Sequence, residues 1–198
     1  MEKPKYKPAL LVIDMQTGFT DPKMRLYSPG AVQILSPLNE LTAAARRADV
    51  PVIWVNQEHR RQLVDFGREA DISPIHCVEG TPAVKVRNSL VVGPDDYVVI
   101  KRRYSGFYCT DLEVLLRSLN CNTVILTGAA TDGCVLATAM DAHARDYYVR
   151  VVTEATVTGT DARRDAALEI MSHMQPNLVI NQEEAIQQFN ADQQSVPV

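Results

Sequence analysis

Val124-Ile125-Leu126-Thr127-Gly128-Ala129-Ala130-Thr131-Asp132-Gly133-Cys134-Val135 decides how the rest of the chain folds. Thr123 to Leu126 is a short apolar run suited to a buried strand. A glycine turn follows, and then a segment that reads as helix to about Arg145. A cysteine in the first turn of such a helix faces unpaired amides and the positive end of the helix dipole, and both favour the thiolate.

The same alternation repeats outward from this stretch. Ala9 to Ile13 is continuously apolar, as in a strand covered on both faces, and it ends at Asp14. Residues 15–31 carry Gly18, Pro22, Pro29 and Gly30 and read as a loop. Leu35, Leu38, Leu41, Ala45 and Ala48 recur at helical spacing, and Pro51 to Val55 is a second strand. Residues 56–96 have no period; a stretch that long inside a domain is functional or carries short elements. Tyr97 to Ile100 is a third strand, ending at Lys101. Leu112, Leu115, Leu116 and Leu119 mark a helix face, with Thr110 and Glu113 at capping-box spacing. Beyond the cysteine helix come a strand at Tyr148–Val152, a helix capped by Asp161, and a short strand at 178–180. A last helix runs to Phe189, capped through Asn181 and Glu184, and the polar residues after it are expected to fray. Strands alternating with helices predict one α/β domain over 1–198, with its core at about 9–190. It is a three-layer α/β/α sandwich on a six-stranded parallel sheet.

Composition narrows the partners. A formal net charge of −4 supplies no basic field for nucleic acid or an anionic membrane surface. No apolar run approaches the roughly 20 residues of a membrane span. Met1 to Lys5 is basic but leads into no apolar signal segment, so the reading is a cytoplasmic protein. The four cysteines, at 77, 109, 121 and 134, have no C-x-x-C spacing and are expected to be reduced thiols.

Asp14, Lys101 and the Cys134 turn each follow the carboxyl end of a predicted strand, where open α/β sheets bind ligands. Each alone has an ordinary explanation: a turn former, a solvated cation, a small core residue. Together they suit nucleophilic catalysis. The thiol attacks, the aspartate takes and returns its proton, the lysine holds the aspartate, and helix-start amides receive the oxyanion.

Longer motifs carry a resemblance. Leu11-Val-Ile-Asp14-Met-Gln16-x-x-Phe19, Lys101-Arg-Arg-Tyr104-Ser105-Gly106-Phe107, Cys77-Val-Glu-Gly80-Thr81-Pro82 and Thr127 to Cys134, running on to Ala142, are similar to motifs of the isochorismatase-like cysteine hydrolases. That family includes the nicotinamidases and N-carbamoylsarcosine amidohydrolase. The resemblance spans roughly Ala9 to Ile180. It implies a Rossmann-like sheet and a catalytic triad of Asp14, Lys101 and Cys134. It also implies a cis peptide between Ala129 and Ala130, with oxyanion donors at the backbone N–H groups of Ala130 and Cys134. Phe19, His59, Arg60, Tyr104 and Phe107 are candidates for the substrate pocket, and Arg60, Arg68, Arg102 and Arg103 for holding a substrate carboxylate. The family also suggests a homodimer or homotetramer.

Two details direct the chemistry. Isochorismatases of this fold cleave a vinyl ether without a cysteine, so Cys134 favours attack on an amide or ureido carbonyl. Metal-binding nicotinamidases use an Asp-x-His pair and a later His, whereas this chain has Gln57-Glu58-His59 and His76. Gln is a poor divalent-metal ligand, so no metal and no cofactor is expected. The leading expectation is a cysteine-dependent amidohydrolase acting on a small carboxamide or ureido/carbamoyl compound through a thioester. Vinyl-ether hydrolysis and a catalytically idle binding scaffold are the alternatives.

Overall fold

A computed structural model describes residues 6–190; the tail expected to fray and the basic residues 1–5 lie outside them. The strands are β1 (Pro8–Ile13), β2 (Val52–Gln57), β3 (Tyr97–Lys101), β4 (Thr123–Ala129), β5 (Tyr148–Val157) and β6 (Val179–Ile180). They form one parallel sheet in the order β3-β2-β1-β4-β5-β6. This is the Rossmann-like order, in which the chain moves one way from β1 and the other way from β4.

The apolar runs explain the layers. Successive residues of a strand point to opposite faces, so an all-apolar strand must be covered twice. On one face Leu11 and Ile13 pack with Leu112 and Leu116 of α3 (Leu112–Ser118), Ala139 of α4 (Leu136–His143) and Met171 of α5 (Asp161–Ser172). On the other, Leu10 and Val12 pack with Leu38 and Leu41 of α2 (Leu35–Arg47) and Phe189 of α6 (Gln182–Phe189). No helix among the described residues is long and apolar enough to cross a membrane.

Several local expectations are corrected. The loop after β1 contains one helical turn, α1 (Thr17–Thr20), and residues 56–96 contain two short 3-10 segments, Gly67–Asp71 and Pro82–Val84. Thr110 and Glu113 form no capping box: the Thr110 hydroxyl accepts from the Leu112 amide at 3.2 Å, and Glu113 pairs with Arg117 and Arg145 at 2.7 and 3.1 Å. Thr160, not Asp161, caps α5 by accepting from the Arg163 amide. The Asn181–Glu184 box does form, with both hydrogen bonds at 2.8 Å. β5 runs past the expected Val152 to Val157, because a register shift opposite Leu126–Gly128 lets pairing resume farther on.

Gly128, near the end of β4, pairs with Ile13 of β1. It has φ +105°, and a Cβ there would stand 2.0 Å from the Ile13 carbonyl oxygen. Only glycine permits both the conformation and the approach, so this residue brings the start of the cysteine segment against the end of β1.

Candidate active site

The carboxyl ends of β1, β3 and β4 converge. Asp14 follows β1 with φ +53°, Lys101 ends β3, and Cys134 lies in a π-turn, Thr131–Val135, that precedes α4. The Lys101 ammonium is 2.8 Å from Asp14 Oδ2 and 3.3 Å from Cys134 Sγ. It also donates to the Arg103 carbonyl at 3.1 Å and lies 3.5 Å from Gln57 Oε1. Asp14 Oδ1 accepts from the Gln57 amide at 3.0 Å, so β2, which lies between β1 and β3, anchors the carboxylate. All three side chains are buried.

Burial sets the electrostatics. It pushes the Asp14 carboxyl above the usual range, against the pull of Lys101 and a hydrogen bond from the Cys134 thiol. It would depress Lys101, but the attraction of Asp14 and Cys134 outweighs it and holds the ammonium firmly charged. Burial and then the Asp14 charge push the Cys134 thiol up, while Lys101 pulls it down. The helix-start argument predicts a lowered thiol. Burial beside a carboxylate reverses it, so the resting site holds a thiol facing a base.

The Ala129–Ala130 peptide is cis. The Ala130 carbonyl accepts from the Gly133 and Val135 amides at 2.9 and 3.1 Å, which winds the turn tightly around Cys134. Thr131 buries its hydroxyl inside this turn without a hydrogen-bond partner.

A cavity of about 500 Å³ opens over the thiol. Phe19, Tyr104, Ala130 and Cys134 line it; so do Tyr27, Glu69, Ile72 and Arg163, which no pattern in the sequence marks out. Arg163 pairs with Asp132 at 2.5 Å, and Thr158 hydrogen-bonds the same carboxylate, so the cation at the rim is already partnered. A neighbouring cleft of about 620 Å³ shares Glu69, Ile72 and Tyr104 but does not reach Cys134.

The other pocket candidates lie elsewhere. Phe107 is core, stacked near Tyr147 and under the Arg145 guanidinium. His59 is fully buried behind the cavity, in contact with Phe66 and His76. Arg60 and Arg102 turn to Asp65, Arg103 donates to the Asp65 carbonyl, and Arg68 pairs with Asp71 at the surface. None of these four arginines lines the cavity over Cys134. Arg68 and Arg103 border the neighbouring cleft instead.

A carboxylate missed in the sequence joins the two histidines. Glu69 stands 3.2 Å from His76 Nε2 and 3.9 Å from His59 Nε2. These three groups have the chemistry of a divalent-cation donor set, and His76 Nε2 is a buried atom with no hydrogen-bond partner, so the residues fit a metal.

The isochorismatase domain model matches residues 8–184. The chain belongs to the isochorismatase family. It is 33% identical over 151 residues to maleamate amidohydrolase of Pseudomonas putida, covering 75% of this chain and 71% of that one. It is also 32% identical over 163 residues to a probable inactive nicotinamidase of Arabidopsis thaliana, covering 77% and 81%. Among solved structures, a cysteine hydrolase from Pseudomonas syringae pv. phaseolicola superposes with a TM-score of 0.85 at 29% identity, over 96% of this chain and 99% of that one. Pyrazinamidase of Pyrococcus horikoshii in complex with zinc gives 0.81 at 27% identity, over 88% and 99%. Amidohydrolases and a cysteine hydrolase thus stand among this family member's relatives.

Proposed function

We propose that this isochorismatase-family chain is a cysteine-dependent amidohydrolase that cleaves a C–N bond of a small carboxamide or ureido compound. The observation that carries the reading is the buried Lys101 ammonium held between Asp14 Oδ2 and Cys134 Sγ, at 2.8 and 3.3 Å, beneath the cavity that Asp14 and Cys134 line. Amide and ureido substrates also agree with the maleamate and ureidoacrylate amidohydrolases among the relatives.

The steps follow from the charges. Asp14, whose carboxyl burial raises above its usual range, accepts the Cys134 proton as the sulfur attacks the carbonyl carbon. The carbonyl oxygen takes the negative charge, which the N–H groups of Ala130 and Cys134 receive. The C–N bond then breaks, Asp14 returns its proton to the leaving nitrogen, and an acyl- or carbamoyl-thioester remains. Water attacks the thioester and gives a proton to Asp14. The C–S bond breaks, the acid leaves, and the proton returns to Cys134. Lys101 stays charged throughout, which keeps Asp14 oriented and offsets the anionic sulfur. His59, Glu69 and His76 would hold a divalent cation, which when bound supplies a Lewis acid at the cavity wall beside Glu69.

The test is an ammonia-release screen of maleamate-like amides, ureidoacrylate-like compounds, N-carbamoyl amino acids, nicotinamide and biuret. Wild-type protein releases ammonia from at least one, and Cys134→Ala, folded by circular dichroism, releases none. Turnover that survives Cys134→Ala removes the thiol mechanism, and pyruvate released from isochorismate by that variant replaces it with vinyl-ether hydrolysis.

A further inference from the structure

We infer that the outer edge of β3 is a self-pairing surface, which takes a second copy of this chain as an antiparallel neighbour and joins the two sheets into one. β3 is the last strand on its side of the sheet, with β2 as its one neighbour among the described residues. The Glu58 amide donates to the Lys101 carbonyl at 3.1 Å, so the Lys101 peptide faces β2. Peptide groups alternate sides along a strand. Those of Tyr97 and Val99 therefore face β2 as well, and the N–H and C=O groups of Val98 and Ile100 face away from the sheet. Among the described residues no loop backbone bonds to residues 97–100. A strand edge left open in this way is a template for another strand.

The side chains suit the same contact. Val98 and Ile100 lie beside Trp54 and Asn56 of β2, on the face that α2 covers. That cover does not extend over β3, where the two side chains are 54% and 39% exposed. Val91 and Val92 are exposed at the same flank, where Asn39 and Arg46 of α2 bond the Val91 backbone. Residues 97–100, Tyr-Val-Val-Ile, contain none of the charges or prolines with which proteins usually block an open edge.

One register uses all of these features. With a two-fold axis through Val99, Val98 of each copy stands opposite Ile100 of the other. These residues face outward, so each pair exchanges both of its N–H···O bonds, as in an antiparallel ladder. The valines and isoleucines of both copies then meet on the uncovered face, a favourable cross-strand pairing. Carried beyond the strand ends, the same register brings Asp96 beside Arg102 and Asp95 beside Arg103. Asp95 is exposed, and Arg103 donates to the carbonyls of Asp65 and Arg102, which leave its charge uncompensated. Moving the axis by one residue sets Asp96 against Ile100 or Arg102 against Val98, and the match is lost. The edge is complementary to itself, which selects a second copy over an unrelated strand and makes the contact closed and isologous.

The experiment is sedimentation velocity of the full-length protein from roughly 1 to 200 μM, with amide hydrogen exchange read residue by residue at both ends of that range. A reversible dimer forms with Kd of roughly micromolar order. The amides of Val98 and Ile100 gain protection as it forms, while that of Val99 is protected throughout. Val98→Lys, at an exposed position and folded by circular dichroism, weakens the dimer by about tenfold or more. Asp95→Arg also weakens it, and Asp95→Arg with Arg103→Asp recovers it. A protein that stays monomeric at the top of the range overturns the proposal. So does a dimer that Val98→Lys leaves intact, which is seated on another face. Protection of Val98 and Ile100 that does not change with concentration also overturns it, because the chain then covers its own edge. These readouts need no turnover and stand apart from the hydrolase reading.

Discussion

Cys134 is governed by its two charged neighbours more than by the helix behind it. Burial raises the thiol most, Asp14 adds to the rise, and Lys101 opposes both. Asp14→Asn removes one raising influence and keeps the residue type most tolerant of φ +53°. In that variant iodoacetamide labels Cys134 roughly tenfold faster near pH 8, while ammonia release falls by about a hundredfold or more for want of a base. Mass-spectrometric labelling beside an activity assay checks both. A variant that labels no faster while turnover falls would mean that Asp14 does not set the thiol. Asp14, Lys101 and Cys134 were legible in the sequence because each ends or follows an apolar run, and strand ends on one side of a parallel sheet meet. Glu69 was not, because it follows no period and its partners lie at positions 57, 59 and 76.

At the level of elements, the irregular residues 56–96 hold the sheet edge through one carboxylate. Asp96 lies at the entry to β3 and accepts from Arg46 of α2 at 2.9 and 2.6 Å, from the Trp54 indole of β2 at 2.7 Å and from the Gly93 amide at 2.8 Å. Burial would raise its carboxyl, but these donors hold it below the usual carboxylate value. A depressed folded-state pKa means that the unfolded chain takes up the proton first as pH falls. The stabilisation is therefore complete above the ordinary value near 4 and is lost as pH drops through the depressed one. Asp96→Asn costs about 2 kcal/mol at pH 7, and its difference from wild type narrows below about pH 4. Urea unfolding at both pH values measures this, and a constant difference would assign the loss to packing instead. Apolar runs and helical spacing located the strands and long helices. Cap residues were less legible, because Thr110 and Asp161 offer the right side chains while φ and ψ one residue away choose the cap. The bulge that extends β5 is invisible to periodicity, since it appears only when β4 and β5 are laid side by side.

Across the whole molecule, the site buries a charged pair at the carboxyl ends of the strands, beneath the cavity. Asp14 follows β1 and Lys101 ends β3, on either side of β2, with side chains 2% and 0% exposed. Removing water from both charges costs more than their attraction returns unless the remaining polar atoms are satisfied. Here the Gln57 amide, the Arg103 carbonyl and the Cys134 sulfur satisfy much of that need. Lys101→Met alone leaves an unpaired buried carboxylate and destabilises by about 3 kcal/mol. Asp14→Asn with Lys101→Met removes the charge along with its partner and recovers most of that loss, with no turnover. Denaturant midpoints for the wild type, the single variants and the double variant give the coupling energy directly. If the double variant were as unstable as the sum of the singles, the pair would act as two independent packing elements and the sheet would bear no cost for holding it. A double variant at or near wild-type stability means instead that the sheet folds without the pair, and that the pair stays in the interior for what Lys101 does between a carboxylate and a thiol.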